Sequence, residues 1–256
     1  MMTTPQRPRH IVGTSLKMYF DLSSTSNYLR GVAELDTHAQ SQNVELFVIP
    51  DFISVLEGAR ILQETKVMLG AQDAFWEDSG SFTGEVSPLV LKQAGVKVVE
   101  IGHAERRRIF GETDEQVALK AAAVARNGLI PLICVGEKSY GPIASAAVGI
   151  AIEECRQQVM AAVKAVPGNA EIIIAYEPVW AIGAEKPADA DHVVNVTRAI
   201  RQMVNGRKGL TRILYGGSAG PGTYKMLADS VDGLFLGRFA HDLRNLEQVI
   251  SEIGES

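Results

Sequence analysis

Short apolar, β-branched runs alternate along the chain with longer amphipathic stretches. Eight runs read as strands: 10–17 (HIVGTSLK), 44–50 (VELFVIP), 67–73 (VMLGAQD), 96–103 (VKVVEIGH), 129–137 (LIPLICVGE), 171–178 (EIIIAYEP), 211–217 (TRILYGG) and 232–238 (DGLFLGR). Helix-like segments separate them. The stretch 114–128, DEQVALKAAAVARNG, opens on acids and stops at Gly128, the start and stop signals of a helix. Near-continuous apolar strands alternating with helices predict a parallel sheet covered on both faces. Eight such units in 256 residues fit a closed (β/α)8 barrel economically, although an open doubly wound sheet fits the same alternation.

No Ser/Gly/Pro-rich linker divides the chain, so a single α/β domain is expected over 1–256, with residues 1–9 as a polar N-terminal extension. The net charge of -5 and a pI near 5.6 argue against a nucleic-acid partner, which calls for a basic patch. No apolar run reaches the roughly 18 residues of a membrane helix, and the first ten residues lack the apolar core of a secretory signal. The only two cysteines, Cys134 and Cys155, have no metal-like spacing. Free thiols in the cytoplasm are therefore the expected setting.

A barrel should gather its chemistry at the C-terminal ends of its strands. Polar and glycine residues collect there: Lys17 on the first strand, His103 and Glu105 on the fourth, Glu177 on the sixth, Gly216, Gly217 and Ser218 on the seventh, Gly237 and Arg238 on the eighth. Each has an ordinary reading when taken alone. Lys17 can be a solvated charge and His103 a core histidine bonded to backbone. Glu105 and the arginines after it can form an ion-pair network or a helix N-terminal charge cluster. Glu177 is harder to dismiss, because a carboxylate between IIIAY and PVW is costly to bury without a use.

The motifs LKMY, GAQD, SFTGEVSP, EIGHAERR, ICVGEK, AYEPVWAIG, YGGS and DGLFLG, in this order over nearly the whole chain, resemble the triosephosphate isomerase family. The resemblance implies the TIM barrel and a homodimer in which the loop Phe82 to Glu85 enters the partner subunit. It implies that Glu177 is the base that moves a carbon-bound proton between neighbouring carbons. His103 is implied as a neutral electrophile at a helix N-terminus, Lys17 as a fixed positive charge toward the enediolate, and Glu105 as a carboxylate supporting that lysine. Residues 178–187 match the family's closing lid, with Trp180 and Ile182 enclosing Glu177 after closure. Gly183, Ser218, Gly237 and the backbone of Arg238 match its phosphate donors. No cofactor or metal is needed; the partner is a small phosphorylated ketose.

Departures from the family pattern bear on substrate. Ser15 and Leu16 stand where the family has Asn and Trp, Tyr19 replaces another Asn, Ala104 replaces a serine, and Arg238 replaces a glycine at the phosphate. The Arg238 guanidinium can clamp the anion bidentately or turn away to fix a loop. Ser15 leaves room at the carbonyl end of the pocket. GTSLKMYF combined with LGRFA is similar to a branch of the family that handles four-carbon phosphates in erythritol breakdown, interconverting L-erythrulose 1-phosphate and D-erythrulose 4-phosphate. Two other readings remain open at this point: glycolytic isomerisation of dihydroxyacetone phosphate, and a catalytically silent phosphate-binding protein.

Overall fold

The computed structural model describes residues 10–139 and 144–255; the extension 1–9 lies outside the described residues. Eight parallel strands close into a barrel in sequence order: β1 (His10–Ser15), β2 (Val44–Ile49), β3 (Met68–Ala71), β4 (Val98–Ile101), β5 (Ile130–Val135), β6 (Ile172–Tyr176), β7 (Thr211–Tyr215) and β8 (Gly233–Leu236), with β8 pairing back onto β1. Closure, not an open sheet, is therefore the arrangement. Each expected strand run contains one of the eight strands, but the pairing stops earlier than the sequence pattern. Lys17 lies two residues beyond β1 in the left-handed region (φ 49°), and His103 two residues beyond β4. The apolar pattern marks where a strand can lie; the ladder ends where the backbone turns out toward the barrel mouth.

Ten helices surround the barrel among the described residues: α1 (Leu22–Glu34), α2 (Asp36–Ser41), α3 (Val55–Leu62), α4 (Pro88–Gln93), α5 (Ala104–Phe110), α6 (Asp114–Arg126), α7 (Ala144–Ala165), α8 (Ala190–Met203), α9 (Thr223–Leu227) and α10 (Leu243–Gly254). Their inner faces follow from spacing. In α10 the buried residues are Leu246, Val249, Ile250 and Ile253, one stripe of a 3.6-residue helix laid on the sheet. α6 begins in a reciprocal capping box of Thr113 and Gln116 and is followed by Gly128 at φ 72°, a conformation that costs glycine little. No described helix is long and apolar enough to cross a membrane.

Alternation along the strands sorts side chains into two shells. Val12, Val99, Ile101 and Ile174 face the helices, while Ile11, Phe47, Val98, Leu132, Ile173, Leu214 and Phe235 fill the lumen. By the same parity Arg212, Glu45 and Glu171 point inward at the N-terminal end of the barrel. There the Arg212 guanidinium bridges the two carboxylates, with Nη2 donating to Glu171 Oε1 at 2.7 Å and Nη1 to Glu45. At the opposite end, parity turns Ser15, Glu100, Cys134 and Glu177 inward, and these underlie the site.

Candidate active site

A cavity of about 960 Å³ opens at the C-terminal end of the barrel. Ser15, Lys17, His103, Glu105, Glu177, Gly183, Ser218, Gly237 and Arg238 all line it. Every site residue expected from the sequence is thus brought to one place.

Glu177 follows β6 directly and is only 6% exposed. Gly216 makes room for it: a Cβ there would stand 2.8 Å from Glu177 Oε1. Burial raises the carboxyl to about 7 against the opposing pull of Lys17 and a hydrogen bond from the Cys134 thiol, and Oε2 has no hydrogen-bond partner. A carboxylate held this way is a stronger base than one in water, and titrates near neutrality.

His103 caps the N-terminus of α5, and its Nδ1 accepts from the Glu105 backbone N–H at 3.2 Å. Burial and the Lys17 charge lower its pKa to about 4, with Glu105 opposing. The ring is therefore neutral at physiological pH. Because Nδ1 is an acceptor, the proton resides on Nε2, which lies 3.7 Å from Glu177 Oε2. A donor and a base consequently face one another across the cavity floor.

Lys17 holds its left-handed conformation with its carbonyl accepting from Gln72 Nε2 at 2.8 Å. Its Nζ donates to Glu105 Oε1 at 2.7 Å. Burial alone would lower the lysine pKa, but the bond and charge of Glu105, with Glu177 and Glu100, outweigh it and raise the pKa. For Glu105, burial is likewise outweighed by the Lys17 bond and charge, which lower its pKa. The ammonium is thus fixed in both charge and place.

The expected phosphate donors line the same mouth. Gly237 precedes a 3-10 turn over Arg238–His241. The Arg238 guanidinium lies over the Tyr19 ring at 5.8 Å and beside Gly183, where a Cβ would be 4.0 Å from its Nη2. It therefore faces the cavity and rests on Tyr19. The Ser218 hydroxyl donates to the carbonyl of Ala181 at 2.8 Å, tying the 178–187 segment to β7's end.

That segment is pinned at both ends. Trp180 Nε1 donates to Glu137 Oε1 at 2.8 Å, and the buried Glu137 also receives the Tyr176 hydroxyl at 3.0 Å from Oε2. At the other end the Ala188 N–H donates to the Tyr215 hydroxyl at 2.9 Å, which in turn donates to Gly217 O at 2.6 Å. The expectation for Trp180 and Ile182 concerns the closed lid; in this structure the Trp180 indole turns to Glu137, and Ile182 is the one of the two that lines the cavity. The barrel itself buries the carboxylate.

Three participants escape sequence reasoning. Glu137 and Cys134 sit inside the ICVGEK motif but give no sign of their partners, which come from β6, α8 and the 178–187 segment. Glu100 opens the EIGHAERR motif, and the available signal was an acid inside an otherwise apolar strand, VKVVEIG.

The barrel, its polar mouth and the paired proton-handling groups define an enzyme site of the isomerase class. The triosephosphate isomerase family profile matches residues 10–253, so the chain belongs to that family and is a sugar-phosphate isomerase. Its relatives narrow the comparison. It is 43% identical over 249 residues to an L-erythrulose-1-phosphate isomerase of Pectobacterium atrosepticum, covering 94% of each chain. An enzyme of the same name from Rhizobium etli is also 43% identical, over 94% of this chain and 91% of the relative, and one from Brucella abortus is 40% identical over 94% of each.

Proposed function

We propose that the chain interconverts L-erythrulose 1-phosphate and D-erythrulose 4-phosphate, with Glu177 as the base, His103 as the hydrogen-bond donor to the substrate oxygens and Lys17 as the stabilising charge. The observation that carries the mechanism is the approach of His103 Nε2 to within 3.7 Å of Glu177 Oε2 beside a fixed ammonium. The names of the relatives support the four-carbon substrate.

The phosphate binds against the backbone of Gly183, Gly237 and Arg238, with the Arg238 guanidinium and Ser218 at the same end. Carbons 2 and 3 then lie over Glu177. The carboxylate removes the proton from C3, and the electron pair left behind forms the C2–C3 double bond of an enediolate as the C2 carbonyl π pair moves onto oxygen. His103 Nε2–H and the Lys17 ammonium stabilise that oxygen charge. The hydroxyl proton passes from the C3 oxygen to the C2 oxygen through the imidazole. Glu177 returns its proton to C2, leaving the ketone on C3. Read from the other end, the product is D-erythrulose 4-phosphate. The 178–187 segment excludes water while the enediolate exists, which protects it from losing phosphate.

A cytoplasmic homodimer is part of the same proposal. The loop Phe82 to Glu85 is exposed, Phe82 packs on Phe75 with ring centroids 4.6 Å apart, and Met18, in the loop after β1, is 94% exposed. Light scattering on the purified chain should give twice the 27.6 kDa chain mass.

Proton NMR in D₂O with L-erythrulose 1-phosphate and dihydroxyacetone phosphate in separate tubes tests the function. Fast deuterium uptake and product from the tetrulose, with a feeble triose reaction, is the expected result. Fast turnover of the triose alone would make the glycolytic reaction the correct one, and exchange with neither would leave a silent phosphate-binding protein.

A further inference from the structure

The barrel lumen holds a second buried carboxyl that the proposed proton transfer does not use. Glu100 lies in β4 between Val99 and Ile101, which both face the helices, so its side chain points into the lumen. It is 3% exposed. The Ser15 hydroxyl sits beside it, reaching in from β1 and close enough to lower the pKa of the acid without closing a hydrogen bond. Ser15 Oγ and Glu100 Oε2 are both buried and both without a hydrogen-bond partner. Leaving two neighbouring polar atoms unmatched in a packed barrel costs stability, and such a cost persists where a ligand supplies the missing partner.

The position of the pair says what that partner is. Gly183, Ser218, Gly237 and Arg238 line the cavity together with Lys17, His103 and Glu177. Ser15 ends β1 two residues before Lys17 and lines the cavity, whereas Glu100, beside it in β4 three residues before His103, does not. A three-carbon phosphate ends at the reacting carbons. A four-carbon one carries a further CH₂OH beside them, and Ser15, next to Lys17 in the chain, offers it a lining hydroxyl without a hydrogen-bond partner.

We propose that Ser15 and Glu100 form a hydrogen-bond relay that receives the terminal hydroxyl of a four-carbon ketose phosphate, with Ser15 meeting the substrate and Glu100 orienting Ser15. The relay rests on the tetrulose reading of the function. Its bonds balance when the acid is neutral: Glu100 O–H donates to Ser15 Oγ, and Ser15 O–H donates to the substrate hydroxyl oxygen. Burial pushes the Glu100 carboxyl up to about 8, so that proton is present at neutral pH. A neutral acid also adds no negative charge beneath the enediolate. Glu100 is a positioning residue in this scheme, and Ser15 makes the contact.

The test measures kcat and KM of the wild type, Glu100→Leu, Glu100→Gln and Ser15→Ala with L-erythrulose 1-phosphate, using dihydroxyacetone phosphate as alternative substrate or competitive inhibitor. Glu100→Leu and Ser15→Ala should each lower the preference for the tetrulose over the triose by about 10- to 100-fold, the scale of one buried hydrogen bond. Glu100→Gln, which keeps a donor of the same shape, should restore most of the preference. Equal losses on both substrates, or an unchanged preference in Glu100→Leu, would overturn the relay while leaving the tetrulose function standing. A wild type that does not turn over the tetrulose would overturn both. If Glu100→Leu does not fold, the isosteric Gln variant and Ser15→Ala decide the matter through the same ratio.

Discussion

The two ends of the barrel lumen are both polar, and they are built on opposite principles. At the N-terminal end Arg212 spans Glu45 and Glu171, so opposite charges meet within the fold. At the C-terminal end Glu100 and Glu177 share the lumen with no arginine between them, and each keeps an unpartnered oxygen. Pairing neutralises the first end, where both carboxylates hold the guanidinium. The second end is left incomplete by the protein and can be completed by substrate. Buried polarity by itself therefore does not mark a site in this protein; buried carboxyls without a bonded cation at the barrel mouth do.

The largest effect that would break this contrast lies at the mouth. Glu177→Gln should lower kcat by at least about 10²–10⁴-fold with affinity for inorganic phosphate largely kept. A Gln variant with wild-type turnover would remove Glu177 from the role of base.

At the other end, Arg212→Met should lower unfolding stability by about 3 kcal/mol in urea, because it removes the cation that spans two mostly buried carboxylates. The folded fraction should keep its substrate preference. A shift in that preference would mean the two ends are coupled.

The contrast is sharpened by pH. kcat/KM should rise about tenfold per pH unit below 7 and level off above it, since Glu177 must lose its proton to act and titrates at about 7. His103, at about 4, adds no step above pH 5. Stability should move the other way. Folded Glu100 and Glu177 bind protons more tightly, at about 8 and about 7, than they do in the unfolded chain at roughly 4.3. Between about pH 4.5 and 8 the native state therefore holds more protons, and these two groups make stability fall as pH rises. Denaturation of wild type and Glu100→Leu across pH 5–9 should show the wild type losing stability relative to the variant by up to about 1.4 kcal/mol per pH unit until pH 8. A constant difference would mean that Glu100 is ionised throughout.

The smallest expected change concerns the rim. Ser15→Asn combined with Arg238→Gly should shift the ratio of catalytic efficiencies toward the triose by about tenfold, the scale of altering one small group in a pocket. An unchanged ratio would place substrate choice elsewhere, with Ala184 and Glu185 of the lid segment the next positions to vary.

Local signals in the chain carry much of this. The eight apolar runs locate all eight strands, and the acids and Gly128 flanking 114–128 bracket α6. Lys17, His103, Glu105 and Glu177 are legible as chemistry because each breaks an apolar pattern at a strand's end. Where partners come from distant strands, the sequence is silent. The Glu137 cluster joins β6, α8 and the lid segment, and no spacing in the chain announces it. Trp180 illustrates the same limit, since a position in the lid does not fix which way an indole turns.

The sequence by itself determined the element order, the family and the residue types available at the barrel mouth, because strand and helix periodicity and strand-end polarity are local properties of the chain. The tertiary structure alone decided which polar groups are completed and which are not. Closing the barrel sets Arg212 between two acids 167 and 41 residues away, and it sets Glu100 beside a serine from another strand, within the field of the Lys17 ammonium but not bonded to it. Desolvation and pairing depend on distances in space, and these are what divide a structural carboxylate from one that waits for substrate.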